Sequence, residues 1–294
     1  MTTHDTHHGL NISAGIASVS VALILVAIKL WALAQTGSLS IAASLADSVM
    51  DLLVSGAGLG AIFYAARPAD DDHAFGHTSI EDLTSLAQAI IVAGSAIAIA
   101  TTAMIRLTAP EPRALAHESG GIVVMVVSIV LTGALVLWQS RVAARTGNKV
   151  VAADRLHYLG DLMPTIGAII ALVLSARFGI AQVDSIIAIL AAAYMLYGSL
   201  GIGTAAFHAL MDRAAEPEII ADIARIATDY PGVLGHHDLK TRTAGSRLFV
   251  NLHVELDGSQ TLEQAHDISA GLKRAIFTAY PHAEIIIHQD VWRA

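Results

Sequence analysis

The stretch Ala46-Asp47-Ser48-Val49-Met50-Asp51, with its counterpart His157-Tyr158-Leu159-Gly160-Asp161, decides how the rest of the chain is read. Both lie in long apolar surroundings, and each places two ligand-capable side chains at i and i+4. On a helix that spacing puts both on one face, one turn apart. A carboxylate in hydrocarbon costs at least roughly 2.5 kcal/mol. Such residues persist when they pair, face water or hold an ion. Asp47 lies roughly 12 Å along the axis from the start of its segment at 1.5 Å per residue, close to mid-bilayer. His157 and Asp161 enter from the opposite side, so the two pairs can meet. Three carboxylates and an imidazole at one point suit a divalent metal ion such as Zn²⁺. A structural polar cluster linking helices is the simpler alternative. An empty site of this kind holds up to three negative charges in low dielectric, and proton uptake relieves the repulsion. Protons and metal are therefore expected to compete for the same ligands, as an antiporter requires.

The bulk composition agrees with a membrane setting. Of 294 residues, 54% are hydrophobic and 14% charged, against about 25% charged in a soluble domain. Cysteine is absent, which excludes disulfides, thiolate zinc sites and Fe–S clusters. Any metal must use His, Asp, Glu, backbone or water, which disfavours soft ions. The net charge of −8 argues against a nucleic-acid partner and is compatible with cation handling. No positively charged region precedes the first apolar run, so no cleavable signal peptide is expected.

Residues 1–9 read as a mobile tail, with His4, His7 and His8 among them. Six apolar segments follow, at about 10–34, 39–65, 83–105, 119–140, 150–176 and 183–207, each near the length a membrane span needs. The second and fifth place acids deep inside. Lys29, near the distal end of the first, is expected to snorkel to the interface. Arg67, Arg141, Arg145, Lys149 and Arg213 fall on one side if the spans alternate, and Arg106, Arg113 and Arg177 on the other. That modest bias puts both termini in the cytoplasm. Glycines in the second, third and sixth spans let helices approach closely, and Pro164 is expected to bend the fifth span beside the site.

The composition changes after Met211-Asp212-Arg213. Residues 213–294 carry more charge and no long apolar run, so the chain divides into 1–9, a transmembrane domain 10–212 and a cytoplasmic domain 213–294. Helices are expected over 216–230 and 262–280, each stopped by a proline, with strands over 237–243, 247–256 and 284–289. The order αββαβ suits a small α+β domain with its helices on one sheet face.

Two further constellations bear metal-ligating chemistry. In Asp70-Asp71-Asp72-His73-Ala74-Phe75-Gly76-His77, Asp70, His73 and His77 can converge in a compact turn; a merely solvated acidic loop remains the alternative. In the last domain, His237, His253, His288 and Asp290 lie in or beside expected strands, and His266 lies on a helix. His288 and Asp290, two apart, share one side of an extended chain. His236 and His282 read as surface residues.

Taken together these motifs resemble the cation diffusion facilitator family, in particular its bacterial zinc/iron-type exporters. The residues carrying the resemblance are Ala46 to Asp51, Pro68 to His77, Asp154 to Asp161, and Ile286-Ile287-His288-Gln289-Asp290. The resemblance covers the six spans and the last domain. It implies a polytopic α-helical membrane domain of six transmembrane helices followed by a ferredoxin-like α+β cytoplasmic domain. It further implies a homodimer in the lipid of the inner membrane, exporting Zn²⁺ or a related divalent ion such as Fe²⁺, Cd²⁺ or Co²⁺ in exchange for protons. On that resemblance, Asp47, Asp51, His157 and Asp161 match the transport site, and Asp70, His73 and His77 a membrane-proximal loop site. His237, His253, His288 and Asp290 match a cytoplasmic site, with His266 an additional ligand and Gln289 beside it. One departure is Ser79, where relatives carry a lysine that pairs with an acid matching Asp212. The dimer is therefore expected to lean on apolar packing of spans three and six and on the last domain.

Two other readings are a membrane metal sensor that does not transport and an intramembrane metalloenzyme. The sensor leaves the buried quartet unexplained. The enzyme lacks a His-Glu-x-x-His string, since His117-Glu118 has no second histidine.

Overall fold

A computed structural model of the chain describes residues 3–36, 39–108, 121–178 and 183–293. The loop bearing Arg113 and His117-Glu118, the Gly37-Ser38 link and the side chains of His4 and Pro164 lie outside the described residues. The described residues divide into two compact units, one running to Ala206 and the other from Phe207 to Ala294.

The first unit is helical. It contains α1 (Thr3–Thr36), α2 (Leu39–Ala65), α3 (Ser79–Thr108), α4 (Gly121–Thr146), α5 (Lys149–Phe178) and most of α6 (Val183–Leu210). α1 begins at Thr3 and so takes in most of the stretch expected as a tail. Five of these helices are long and apolar enough to cross a membrane: α1, α2, α3, α4 and α6. α5 is equally long, but Lys149, Asp154, Arg155, His157 and Asp161 crowd its first half. The fifth span is thus polar where it carries His157 and Asp161.

Local chemistry sets the α4–α5 corner. Gly147 takes the left-handed conformation (φ +66°), and its N–H bonds back to the Ala143 carbonyl, a C-terminal cap that favours glycine. Asn148 then accepts from the Val151 N–H at 3.1 Å and caps α5. Three small cores hold the unit. Ala14, Ile62, Val142, Val150 and Val151 join α1, α2, α4 and α5. Leu135, Val136 and Tyr158 continue that seam. Val92, Ala96, Leu156, Ala192 and Met195 join α3, α5 and α6. At Gly160 of α5, a Cβ would collide with the end of the Met195 side chain of α6.

The second unit contains α7 (Pro217–Thr228), β1 (Gly235–Ala244), β2 (Arg247–Leu256), α8 (Leu262–Ala279) and β3 (Ala283–Val291). α7 starts on Pro217, a residue suited to a first turn, and α8 on a Thr261/Gln264 capping box. The three strands lie in the order β1-β2-β3, with β1–β2 antiparallel and β2–β3 parallel. This is the ferredoxin-like α+β arrangement expected from the sequence. Leu248, Val250, Leu252, Val254 and Leu256 alternate onto the face covered by Ile223 and Ala227 of α7 and Leu272 and Ile276 of α8. The odd-numbered residues of β2 occupy the opposite face.

Candidate metal centres

The transmembrane centre forms where α2 meets α5. His157 Nε2 lies 3.0 Å from Asp51 Oδ1, with the side chains 10% and 13% exposed respectively. Ligand atoms of Asp51, His157 and Asp161 all lie within 4.8 Å of one another. The i, i+4 spacing thus places His157 and Asp161 against one carboxylate of α2. Asp47, one turn earlier on α2, is exposed and outside that mutual set.

Behind this trio lies a second polar layer built on Asp154, which is 5% exposed. Ser18 of α1 donates to its Oδ2 at 2.6 Å and Ser55 of α2 to its Oδ1 at 3.0 Å. Gln139 of α4 donates to Oδ2 at 2.6 Å. Tyr158 shares a 3.0 Å hydrogen bond with Ser55. One carboxylate therefore ties α1, α2 and α4 to α5 one turn before His157. Asp154 lies in the motif that opens span five, but no role for it follows from the sequence. Its signal was a second acid in span five at i−3 from His157, but its partners sit on three other helices and no local spacing reveals them.

Lys29 also differs from expectation. Its ammonium does not simply snorkel outward; it donates to Ser48 Oγ at 2.7 Å and to the Ser44 carbonyl at 3.1 Å. A buried hydroxyl on the neighbouring helix offers a fixed acceptor within reach of the long stem.

The loop centre comprises Asp70, His73 and His77, whose ligand atoms also lie within 4.8 Å of one another. The turn is held by backbone bonds from Asp70 and Gly76 N–H to the His73 carbonyl, with Gly76 at φ +81°. Asp70 lies 3.1 Å from His73 Nδ1 and 3.2 Å from His77 Nε2. The His73 N–H, donating at 2.7 Å, holds the Asp70 carboxyl below the usual carboxylate range. His77 is buried, and its Nδ1 has no hydrogen-bond partner among the described residues.

The third centre lies on the open face of the β-sheet. Register sets His237 opposite His253 and His253 opposite His288, a row of three imidazoles across three strands. Asp290 Oδ2 is 2.8 Å from His253 Nδ1 and 3.5 Å from His237 Nε2, and Oδ1 is 3.5 Å from His288 Nε2. The His253 hydrogen bond holds the Asp290 carboxyl below the usual range. His237, His253 and Asp290 form the mutual 4.8 Å set, with the His288 ring 4.6 Å from that of His253. Glu255, not among the expected ligands, stands 3.3 Å from His237 Nδ1; its position two residues after His253 on one strand is the signal the sequence offers. Gln289 points the other way and donates to Ser269 Oγ and the Ala265 carbonyl on α8. His266 is exposed on α8.

A β-bulge explains why His237 belongs to this face. Lys240 pairs with Asn251 and His237 with His253, so β1 carries one residue more than β2 between them. Asp238 absorbs the excess at φ +50°. Strict alternation back from Lys240 would bring His236 to the open face. The bulge turns His236 toward Thr228 of α7 instead. Asp212, for its part, pairs with Arg242 at 3.2 Å, while Ser79 is exposed at the start of α3.

Apolar helices enclosing a His/Asp centre, followed by a sheet domain with a second such centre, define a polytopic membrane protein that handles divalent cations. The chain belongs to the cation efflux family: the family's transmembrane domain matches residues 15–211 and its cytoplasmic domain residues 215–291. The chain is 39% identical over 277 residues to the cation-efflux pump FieF of Klebsiella pneumoniae, covering 94% of this chain and 91% of that one. It is 38% identical over 278 residues to FieF of Yersinia enterocolitica, covering 95% and 92%. Among solved structures, the Zn form of CzrB aligns over 27% of this chain and 92% of its own at 33% identity, with a TM-score of 0.26. The chain is thus a multi-pass cation-efflux transporter for divalent metal and not an enzyme.

Proposed function

We propose that this transporter exports Zn²⁺, or a related ion such as Fe²⁺, Cd²⁺ or Co²⁺, from the cytoplasm in exchange for protons, by alternating access around Asp47, Asp51, His157 and Asp161. The observation that carries this reading is the convergence of Asp51, His157 and Asp161 from two helices within 4.8 Å. One nitrogen and up to three oxygens match a tetrahedral first-row ion. Asp47, on the same stripe of α2, is the fourth ligand once the helices close on the ion. The metal-free ligands repel one another in a poorly solvated site, and protons relieve that repulsion when metal leaves.

The loop and sheet centres serve assembly and regulation, with 10–212 the transport domain and 213–294 the metal-binding and dimerisation domain. We place the protein in the inner membrane as a homodimer with both termini in the cytoplasm. α8 covers the sheet face opposite His253, so His266 reaches such a centre only from a second copy of the chain. Proteoliposomes with an imposed pH gradient test the main reading. Wild type takes up Zn²⁺ only with the gradient present, and Asp51→Ala with its fold intact loses uptake by more than about 100-fold. Uptake indifferent to the gradient would refute proton exchange; undiminished uptake in Asp51→Ala would remove this site from the path.

A further inference from the structure

Lys29 is a basic side chain inside the transmembrane domain that the transport site, as described, does not use. Its ammonium is bonded to Ser48 Oγ and the Ser44 carbonyl, and Ser48 is 1% exposed. Ser44, Asp47, Ser48 and Asp51 recur at i, i+3, i+4 and i+7, so they form one stripe along α2. Asp47 and Asp51 thus share the stripe that holds the Lys29 ammonium, and Asp161 of α5 shares a ligand set with Asp51. His157 of α5 meets the same stripe at Asp51. The ammonium from α1 and the imidazole from α5 thus share one acidic stripe. An interfacial anchor has no need of a buried acceptor; a counter-charge does.

We propose that Lys29 is the resident counter-cation of the transport site, a positioning residue whose charge balances the metal-free carboxylates and weakens the hold on an arriving divalent cation. The proposal rests on reading Asp47, Asp51, His157 and Asp161 as the transport site. Two effects act in the same direction. Attraction to the carboxylates stabilises the empty site, and repulsion of the dication destabilises the filled one. A transporter needs both, because a site that binds too tightly does not release. Lys29 therefore sets affinity against turnover without ligating the metal.

The test uses the full chain in proteoliposomes, with Zn²⁺ as probe and initial rates measured against Zn²⁺ concentration at one fixed pH gradient. Lys29→Gln keeps an amide donor for Ser44 and Ser48 but removes the charge. It lowers KM by about tenfold and lowers kcat with it. Lys29→Arg keeps the charge and holds KM within about twofold of wild type. A KM for Lys29→Gln equal to or above wild type overturns the proposal, as does a KM for Lys29→Arg that falls as far as that of Lys29→Gln. Lys29→Met repeats the charge removal if Lys29→Gln does not fold. Failure of both to insert and fold also overturns the proposal, because a residue that tunes affinity is not one the fold depends on. Asp51→Asn in the same assay separates the two ideas: normal transport there sinks the site reading itself, whereas loss there with wild-type KM in Lys29→Gln sinks the counter-cation alone.

Discussion

The transmembrane and sheet centres bring together the same chemistry in opposite settings. Each gathers imidazole and carboxylate atoms within 4.8 Å. In the membrane, His157 and Asp51 are 10% and 13% exposed; on the sheet, His237 is 46% and Asp290 35% exposed. Water can stabilise the charges of the sheet site whether or not metal is bound. In the membrane the protein must do so itself, through His157 and Lys29. On the proposed reading, the difference teaches why one constellation would move an ion and the other hold it. Emptying the less exposed site would then require another charge to change place, and protons would supply it. Emptying the sheet site requires nothing of the kind.

The strongest way to break this contrast is Asp154→Ala. It strips Ser18, Ser55 and Gln139 of their common acceptor, and each unsatisfied buried group costs about 1–3 kcal/mol. The membrane domain should unfold in detergent at a clearly lower temperature, and Zn²⁺ uptake should fall about 10–100-fold, as losses behind a ligand shell do. Metal binding at the sheet centre should be unchanged. Equal damage to both centres would mean that they are not independent.

His253→Ala probes the other side of the contrast. His253 stands in the middle of the imidazole row and bonds Asp290. Its removal should abolish metal binding at the sheet centre, seen as a loss of bound metal per chain by equilibrium dialysis. Uptake through the membrane should change by no more than about tenfold. A complete loss of uptake would make the sheet centre part of the path.

The smallest effect concerns pH. Asp290 is held below the usual carboxylate range by its bond with His253, then by the neighbouring histidines. A depressed carboxyl contributes stability that is fully present above its unfolded value, about 4, and is lost as pH falls through its folded value. The metal-free second domain should therefore keep constant stability from neutral pH down to about pH 4 as far as this group is concerned. The Asp290 carboxyl signal by NMR should titrate below the signals of exposed aspartates. Titration at or above them would contradict the geometry.

Much of this architecture was legible from the residues. Each helix covers most of its expected span, though α1 starts seven residues early and α4 ends six residues late, because membrane helices advertise themselves by length and apolarity. β2 was read as 247–256, the range observed, because strict alternation of Leu248, Val250, Leu252, Val254 and Leu256 is a local signal. Pairwise spacing also put His157 and Asp161 on one face of α5, since that shared face follows from helix geometry alone. Asp154, Lys29 and Glu255 escaped because each acquires its role from groups distant in sequence. Lys29 offers the sharpest case: its position near a helix end suggested an escape to the interface, whereas the stripe of α2 captured it.

What the sequence by itself determined is therefore what periodicity along one element controls: the membrane setting, the exclusion of cysteine chemistry, the paired ligands on α2 and α5, and the αββαβ order. What only the tertiary structure decided is how those elements face one another. Packing of α1, α2, α4 and α5 around Asp154 places Asp51 beside His157 and Lys29 beside Ser44 and Ser48. In the sheet, one extra residue at Asp238 selects His237 over His236, and the parallel pairing of β2 with β3 aligns the three imidazoles. The physical reason is the same in both domains. The face a side chain takes within a regular element follows from spacing, but the partner it meets depends on long-range packing and register.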